Sequence, residues 1–221
     1  MSVFAGPEIV NSGLVLCLDS TNNKSYPGSG TTWVDLSGSG YNHTLTSAAF
    51  TTIDNVACFN TSTTGFARVT STTFTFGAAH TMIAWARVLA DTQVTTWRTL
   101  WRTSPNDHPL LVQDSTNLIG YYDNDTGSFN SYGLNAGTLG IENKWTMFTL
   151  VASGGSTTCY INNNVASGTV AFTANGLNHD YFGNQVTQPF GYVSVAQLYN
   201  RALSTTEIQQ NFNAHRGRFG L

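Results

Sequence analysis

The chain has 221 residues, 41% of them apolar, which is enough to bury a substantial core. Charged residues make up only 10%, against about 25% in an ordinary domain, and the net charge is −3. Two lysines, Lys24 and Lys144, and seven scattered arginines form no basic stripe, which argues against nucleic-acid binding, and no apolar run reaches the length of a membrane-spanning helix.

Residues 1–12 read as an N-terminal arm, without the basic start and apolar stretch of a secretory signal. Gly13 to Asp19 is continuous in apolar residues and reads as a buried strand. A long loop over 22–39 follows, marked by Pro27-Gly28-Ser29-Gly30 and Ser37-Gly38-Ser39-Gly40. Further strands are expected at 56–59, 66–69, 82–89, 110–113, 118–122, 145–152, 158–162, 165–171 and 192–199. Asn162-Asn163-Asn164 suits a tight hairpin turn, because Asn tolerates positive φ. A single segment reads as a helix. Ser204-Thr205-Thr206-Glu207 is a capping box, and Leu203 and Ile208 stand at the staple positions, so a helix is expected over 204–213 with a tail over 214–221. Many short strands with one short C-terminal helix predict an all-β fold: a two-sheet antiparallel β-sandwich of jelly-roll type, one domain spanning 1–221.

Catalytic chemistry is poorly represented. The chain has only Glu8, Glu142 and Glu207, which do not share one strand face, so the paired carboxylates of a retaining glycosidase are missing. Asp123 and Asp125 lie in a turn-like stretch. His43, His80, His108, His179 and His215 show no metal-ligand spacing. Cys17, Cys58 and Cys159 are odd in number and far apart, and read as buried free thiols made in a reducing cytoplasm. The protein is expected not to be an enzyme.

Both chain ends carry a family likeness. Gly13–Asp19 followed by 25–38 (Ser-Tyr-Pro-Gly-Ser-Gly-Thr-Thr-Trp-Val-Asp-Leu-Ser-Gly) resembles the opening of concanavalin A-like jelly rolls of the laminin-G type. Residues 198–204 (Leu-Tyr-Asn-Arg-Ala-Leu-Ser), with Glu207-Ile208 and 216–220 (Arg-Gly-Arg-Phe-Gly), are similar to the closing signature of that group. The versions most alike are those of tailed-phage, marine-phage-like virion proteins. That resemblance implies a virion location in capsid, tail or fibre, contacts with other virion proteins, and a homo-oligomer. It also implies pairing of 13–19 with 193–199, a C-terminal segment packed back on the sandwich, and a rim calcium ion, with Asp19 and Asp35 as ligands. The bland alternative for these two aspartates is turn capping. Trp33, Trp85 and Trp145 fit core positions. Trp97, Trp101, Tyr121, Tyr122 and Asp123 are candidate ligand-binding residues, because aromatics beside Asn and Asp suit glycan stacking and hydrogen bonding, and equally a subunit interface, with a plain core role as the alternative that outweighs both for the aromatics.

Overall fold

The structure is a computed structural model that describes residues 7–62, 65–69, 74–104, 107–163, 166–183 and 187–221. The first part of the expected arm, residues 1–6, lies outside the described residues, as do Asn164 and Val165 of the expected hairpin. The strands are, in order, β1 Leu14–Asp19, β2 Thr32–Trp33, β3 His43–Thr46, β4 Ala49–Ile53, β5 Val56–Asn60 and β6 Phe66–Val69. Then come β7 His80–Val88, β8 Arg98–Ser104, β9 His108–Val112, β10 Leu118–Asp123 and β11 Ser128–Asn135. The last are β12 Trp145–Ser153, β13 Ser156–Ile161, β14 Ala166–Val170, β15 Asn178–Gly183 and β16 Gly191–Tyr199, followed by helix α1 Thr205–His215. Among the described residues they form two antiparallel sheets of eight strands.

The first sheet runs β14-β13-β12-β7-β16-β5-β4, with β1 also paired to β16. Leu16 faces Leu198 and Asp19 faces Val195, so the two ends of the chain are adjacent antiparallel strands, as their signatures imply. The second sheet runs β11-β10-β9-β8-β15-β6-β3-β2. Along β7 the alternation is strict. Met82, Ala84, Ala86 and Val88 point into the core between the sheets, while Ile83 and Trp85 point out. On one side β14 comes against β11, where an added Cβ at Gly168 would sit 1.6 Å from the Tyr132 carbonyl oxygen. Only a residue without a side chain permits that approach.

The outward face of the first sheet is also buried. Ile208 and Phe212 of α1, together with Phe219, close over Trp85, Trp145 and Tyr199. Phe219 stacks parallel on Trp85 with ring centroids 4.2 Å apart. The helix starts as expected: Ser204 accepts from the Glu207 N–H, and the Glu207 carboxylate accepts from the Ser204 N–H at 2.8 Å. It runs two residues past the expected end, and the expected tail is its last turn followed by a 3₁₀ turn, Arg216–Phe219, that carries Phe219 inward. The Asn211 amide donates to the Tyr199 hydroxyl and accepts from the Val10 N–H, tying the arm to this layer. The expected loop at 22–39 holds one short strand, β2, whose Trp33 is fully buried. The three cysteines are buried and free.

No helix covers the outward face of the second sheet among the described residues. That asymmetry leaves the outward face of the second sheet without the helical layer that covers the first.

Candidate functional site

Two bulges decide which side chains reach the open face. The β8–β9 register slips between Thr99 and Trp101, and the β9–β10 register slips between Gly120 and Tyr122. A bulge reverses the alternation beyond it. Leu100 and Trp101 therefore both enter the core, while Thr99, His108, Leu111 and Tyr122 stay outside it. Trp97 stands just before β8 on the same side as Thr99, half-buried. Gln188 arrives from the segment before β16, and its carbonyl accepts from the Thr99 N–H at 3.2 Å. Asn124 comes from the β10–β11 turn.

These groups line a cleft of about 290 Å³: Trp97, His108, Leu111, Tyr122, Asn124 and Gln188. Trp97 makes edge contacts with Tyr122 at 5.2 Å and with Phe129 at 5.4 Å between centroids. Phe129 in turn lies where a Cβ on Gly120 would be, 2.3 Å from its ring, so the glycine seats the ring that supports Trp97. Beneath the aromatics runs a polar chain. Thr99 Oγ1 donates to Gln188 Oε1 at 2.5 Å and lies 3.1 Å from His108 Nδ1. Burial, with a smaller contribution from Arg102, pushes the His108 pKa down to about 4. The imidazole is therefore neutral near pH 7.

Of the five aromatic and acidic residues expected to meet a ligand, Trp97 and Tyr122 come together in this cleft. Trp101 does not reach it, because the bulge turns it into the core at 0% exposure. Tyr121 is buried as well, since neighbours on a strand face opposite ways, and its ring stacks on Phe172. Tyr121 and Asp123 both line a second, polar hollow of about 360 Å³, where the Asp123 carboxylate caps a turn. Its Oδ1 accepts from the N–H groups of Asp125 and Thr126 at 2.8 and 3.1 Å. The Thr126 hydroxyl first, and then the backbone N–H groups of Thr126 and Asp125, hold its pKa down. Asp107 accepts from the Asn124 N–H at 3.0 Å, and burial, with Asp123 and Asp125 nearby, raises its pKa.

The two aspartates expected to hold calcium do not fit a cation site. Both Asp19 oxygens face the Arg218 guanidinium, at 2.8 and 2.9 Å. The Asp35 carboxylate accepts from the N–H groups of Cys17, Ser37 and Tyr41 and from the Ser37 hydroxyl. Each carboxylate is spent on fixing the chain ends and the loop over 22–39, whereas Ca²⁺ asks for six to eight open oxygens. Among the described residues no cluster of three or more His, Cys, Asp or Glu is placed to hold a metal ion.

The residues that the sequence did not single out for this site are His108, Gln188, Leu111 and Asn124. Gln188 lies 89 positions from Thr99, so no local motif announces their contact.

Comparison with known proteins agrees with this architecture. No curated protein matches the chain. Among solved structures, the chain is similar to the ligand binding domain of botulinum neurotoxin serotype D in complex with N-acetylneuraminic acid, at 17% identity and a TM-score of 0.62, covering 92% of this chain and 51% of that one. It is similar also to the Trypanosoma rangeli sialidase in complex with 2,3-difluorosialic acid, at 17% identity and a TM-score of 0.63, covering 97% of this chain and 36% of the sialidase. The chain thus spans about half of the first and about a third of the second, and the likeness is one of fold. A laminin G-type family model, described as the concanavalin A-like lectin/glucanases superfamily, matches residues 60–209. With that match across most of its length and the two-sheet sandwich around it, the chain belongs to the concanavalin A-like lectin/glucanase superfamily.

Proposed function

We propose that the protein is a non-enzymatic, lectin-like module that binds a saccharide on the open face of its second sheet. The observation that carries this reading is the cleft itself. It offers the Trp97 and Tyr122 rings beside the polar groups of His108, Asn124 and Gln188, which is the combination that grips a sugar ring by its apolar face and its hydroxyls. Its volume suits a single ring. The nearby carboxylates support binding over hydrolysis, because Asp107 and Asp123 are each engaged by backbone N–H groups of the turn. Glu142 is held by Arg98 and Glu207 by Arg201, both away from the cleft lining.

A second reading is a capsid, tail or fibre component of a virion, working through contacts with other virion proteins or with copies of itself. It is supported by the resemblance of the chain ends to phage proteins and by the low charge of the chain, 10% of its residues. One experiment separates the two. The purified full chain is applied to a glycan array beside Trp97→Ala and Tyr122→Ala. A signal that both substitutions remove supports the lectin reading. Silence on the array, together with co-sedimentation of the chain with purified particles, would overturn it in favour of assembly.

A further inference from the structure

The hydrogen-bond chain under the aromatics has a direction, and that direction says what kind of sugar the cleft accepts. The Thr99 hydroxyl has one proton and gives it to Gln188 Oε1 at 2.5 Å. Its contact with His108 Nδ1 at 3.1 Å must then be accepted by the hydroxyl oxygen, so Nδ1 carries the imidazole proton. His108 Nε2 is left as a bare lone pair with no protein partner among the described residues, on a ring that lines the cleft. Gln188, having turned its oxygen to Thr99, keeps its amide nitrogen as a donor, likewise without a partner among the described residues. Among the described residues the cleft therefore presents His108 Nε2 as a fixed acceptor and the Gln188 amide nitrogen as a fixed donor beside Trp97 and Tyr122.

We propose that His108 is a specificity-determining residue: its Nε2, locked as an acceptor by the Gln188–Thr99 pair, selects a neutral pyranose that donates a hydroxyl proton and rejects sugars that present a carboxylate there. The proposal rests on the saccharide-binding reading and deepens it. A carboxylate is acceptor-only when ionised, and against a bare imidazole nitrogen it meets a lone pair and finds no proton. The surrounding charge points the same way. Asn124 at the cleft is flanked by Asp123 and Asp125, and Asp107 precedes His108, while the cation that acts on His108 among the described residues is Arg102, already bonded to the Tyr181 hydroxyl at 2.8 Å. Burial keeps the imidazole uncharged, so it offers no cationic N–H to an anion at neutral pH.

The test has two parts on the full chain. Long-range ¹H–¹⁵N correlation spectra of the imidazoles read the tautomer directly, without any ligand. The expected result is a protonated Nδ1 and bare Nε2 for His108, lost in Thr99→Val, and a protonated Nε2 in the wild type would overturn the proposal. Titration calorimetry then uses the methyl glycosides of glucose, galactose and mannose beside N-acetylneuraminic acid. Binding of at least one neutral glycoside is expected, weakened about tenfold by Thr99→Val, the worth of one neutral hydrogen bond. Tighter binding of N-acetylneuraminic acid, or unchanged affinity in Thr99→Val, overturns the inference. If that binding still disappears in Trp97→Ala, the saccharide-binding reading survives it. Failure of every sugar to bind overturns both.

Discussion

Acid should unfold this protein through a histidine pair in its core. His43 on β3 and His179 on β15 are buried at 0% and 1% exposure, with their Nε2 atoms 2.9 Å apart. His43 Nδ1 donates to the Tyr41 carbonyl at 2.9 Å, so its Nε2 is the acceptor and His179 Nε2–H the donor. His179 Nδ1 is then a buried lone pair with no partner among the described residues. Phe182 packs against both rings. Neither imidazole can take a second proton in place: on His43 it would confront another N–H, and on His179 it would sit unpaired in apolar surroundings. Burial pushes the His43 pKa down to about 4, opposed weakly by the Tyr41 carbonyl and Asp35, and drives His179 down as well. The folded-state value lies below the unfolded one near 6.5, so the unfolded chain binds protons first as pH falls. Stability is whole above about pH 6.5 and is lost as pH falls toward about 4. For His43 alone the loss is about 2 kcal/mol at pH 5, approaching about 3 kcal/mol at saturation. Urea unfolding at pH 7 and pH 5 measures it. Burial also holds His80, His108 and His215 below the free value, so the comparison must be with His43→Leu/His179→Phe, which removes the pair while leaving them. The wild type should lose at least about 2 kcal/mol more than this variant over that interval. Equal losses, or His43 ring signals that titrate near pH 6.5 in the folded protein, would refute the reasoning.

Phe219→Ala should cost about 3 kcal/mol, because the ring is buried between Trp85 and Trp145, and should lower the melting temperature by roughly 6–12 °C in calorimetry. An unchanged melting temperature would mean that the C-terminal turn does not cover the first sheet. Arg98→Ala should cost about 3–5 kcal/mol. The fully buried Arg98 guanidinium binds Asp91, Glu142, Asn117 and the carbonyls of Leu89 and Gln113, so removing it strands two carboxylates and loosens the segment leading to Trp97. Equilibrium unfolding reads the loss, and a loss below 1 kcal/mol would contradict this network. Gly168→Ala, which helps many loops by stiffening the unfolded chain, should here prevent a native melt altogether, since the methyl would meet the Tyr132 carbonyl. A normal cooperative melt would show that β14 and β11 do not close as described.

The fold was most legible where local chemistry and tertiary role coincide. The Ser204–Glu207 box sets the helix start through bonds between neighbours, so it can be read without knowing what the helix packs on. The apolar strands β1, β7, β12 and β16 are equally plain, because burial on both faces of the first sheet forces continuous apolar sequence. Strands such as His43–Thr46 and Ser128–Asn135 escape the same reading. They belong to the sheet with one open face, and their outward Thr, Ser and Asn look like loop residues until the partner strands are known.

The site was legible only in part, for a geometric reason. Trp97, Thr99 and Trp101 have the same parity, so strict alternation puts both tryptophans on one face. The bulge after Thr99 breaks that parity, and nothing in Thr99-Leu100-Trp101 signals it, because the slip is set by how β9 pairs alongside. The adjacent Tyr121 and Tyr122 show the opposite case, since one of two neighbours on a strand must turn inward, and here the choice follows from which face already holds Ile119. His108 could not be found by motif at all. Its role depends on a threonine hydroxyl from β8 and an amide from residue 188, and on which of them owns the shared proton. An amide turned the other way at residue 188, donating its nitrogen to Thr99, would make the same histidine a donor at Nε2, so the Gln188 oxygen is what sets the polarity of the chain.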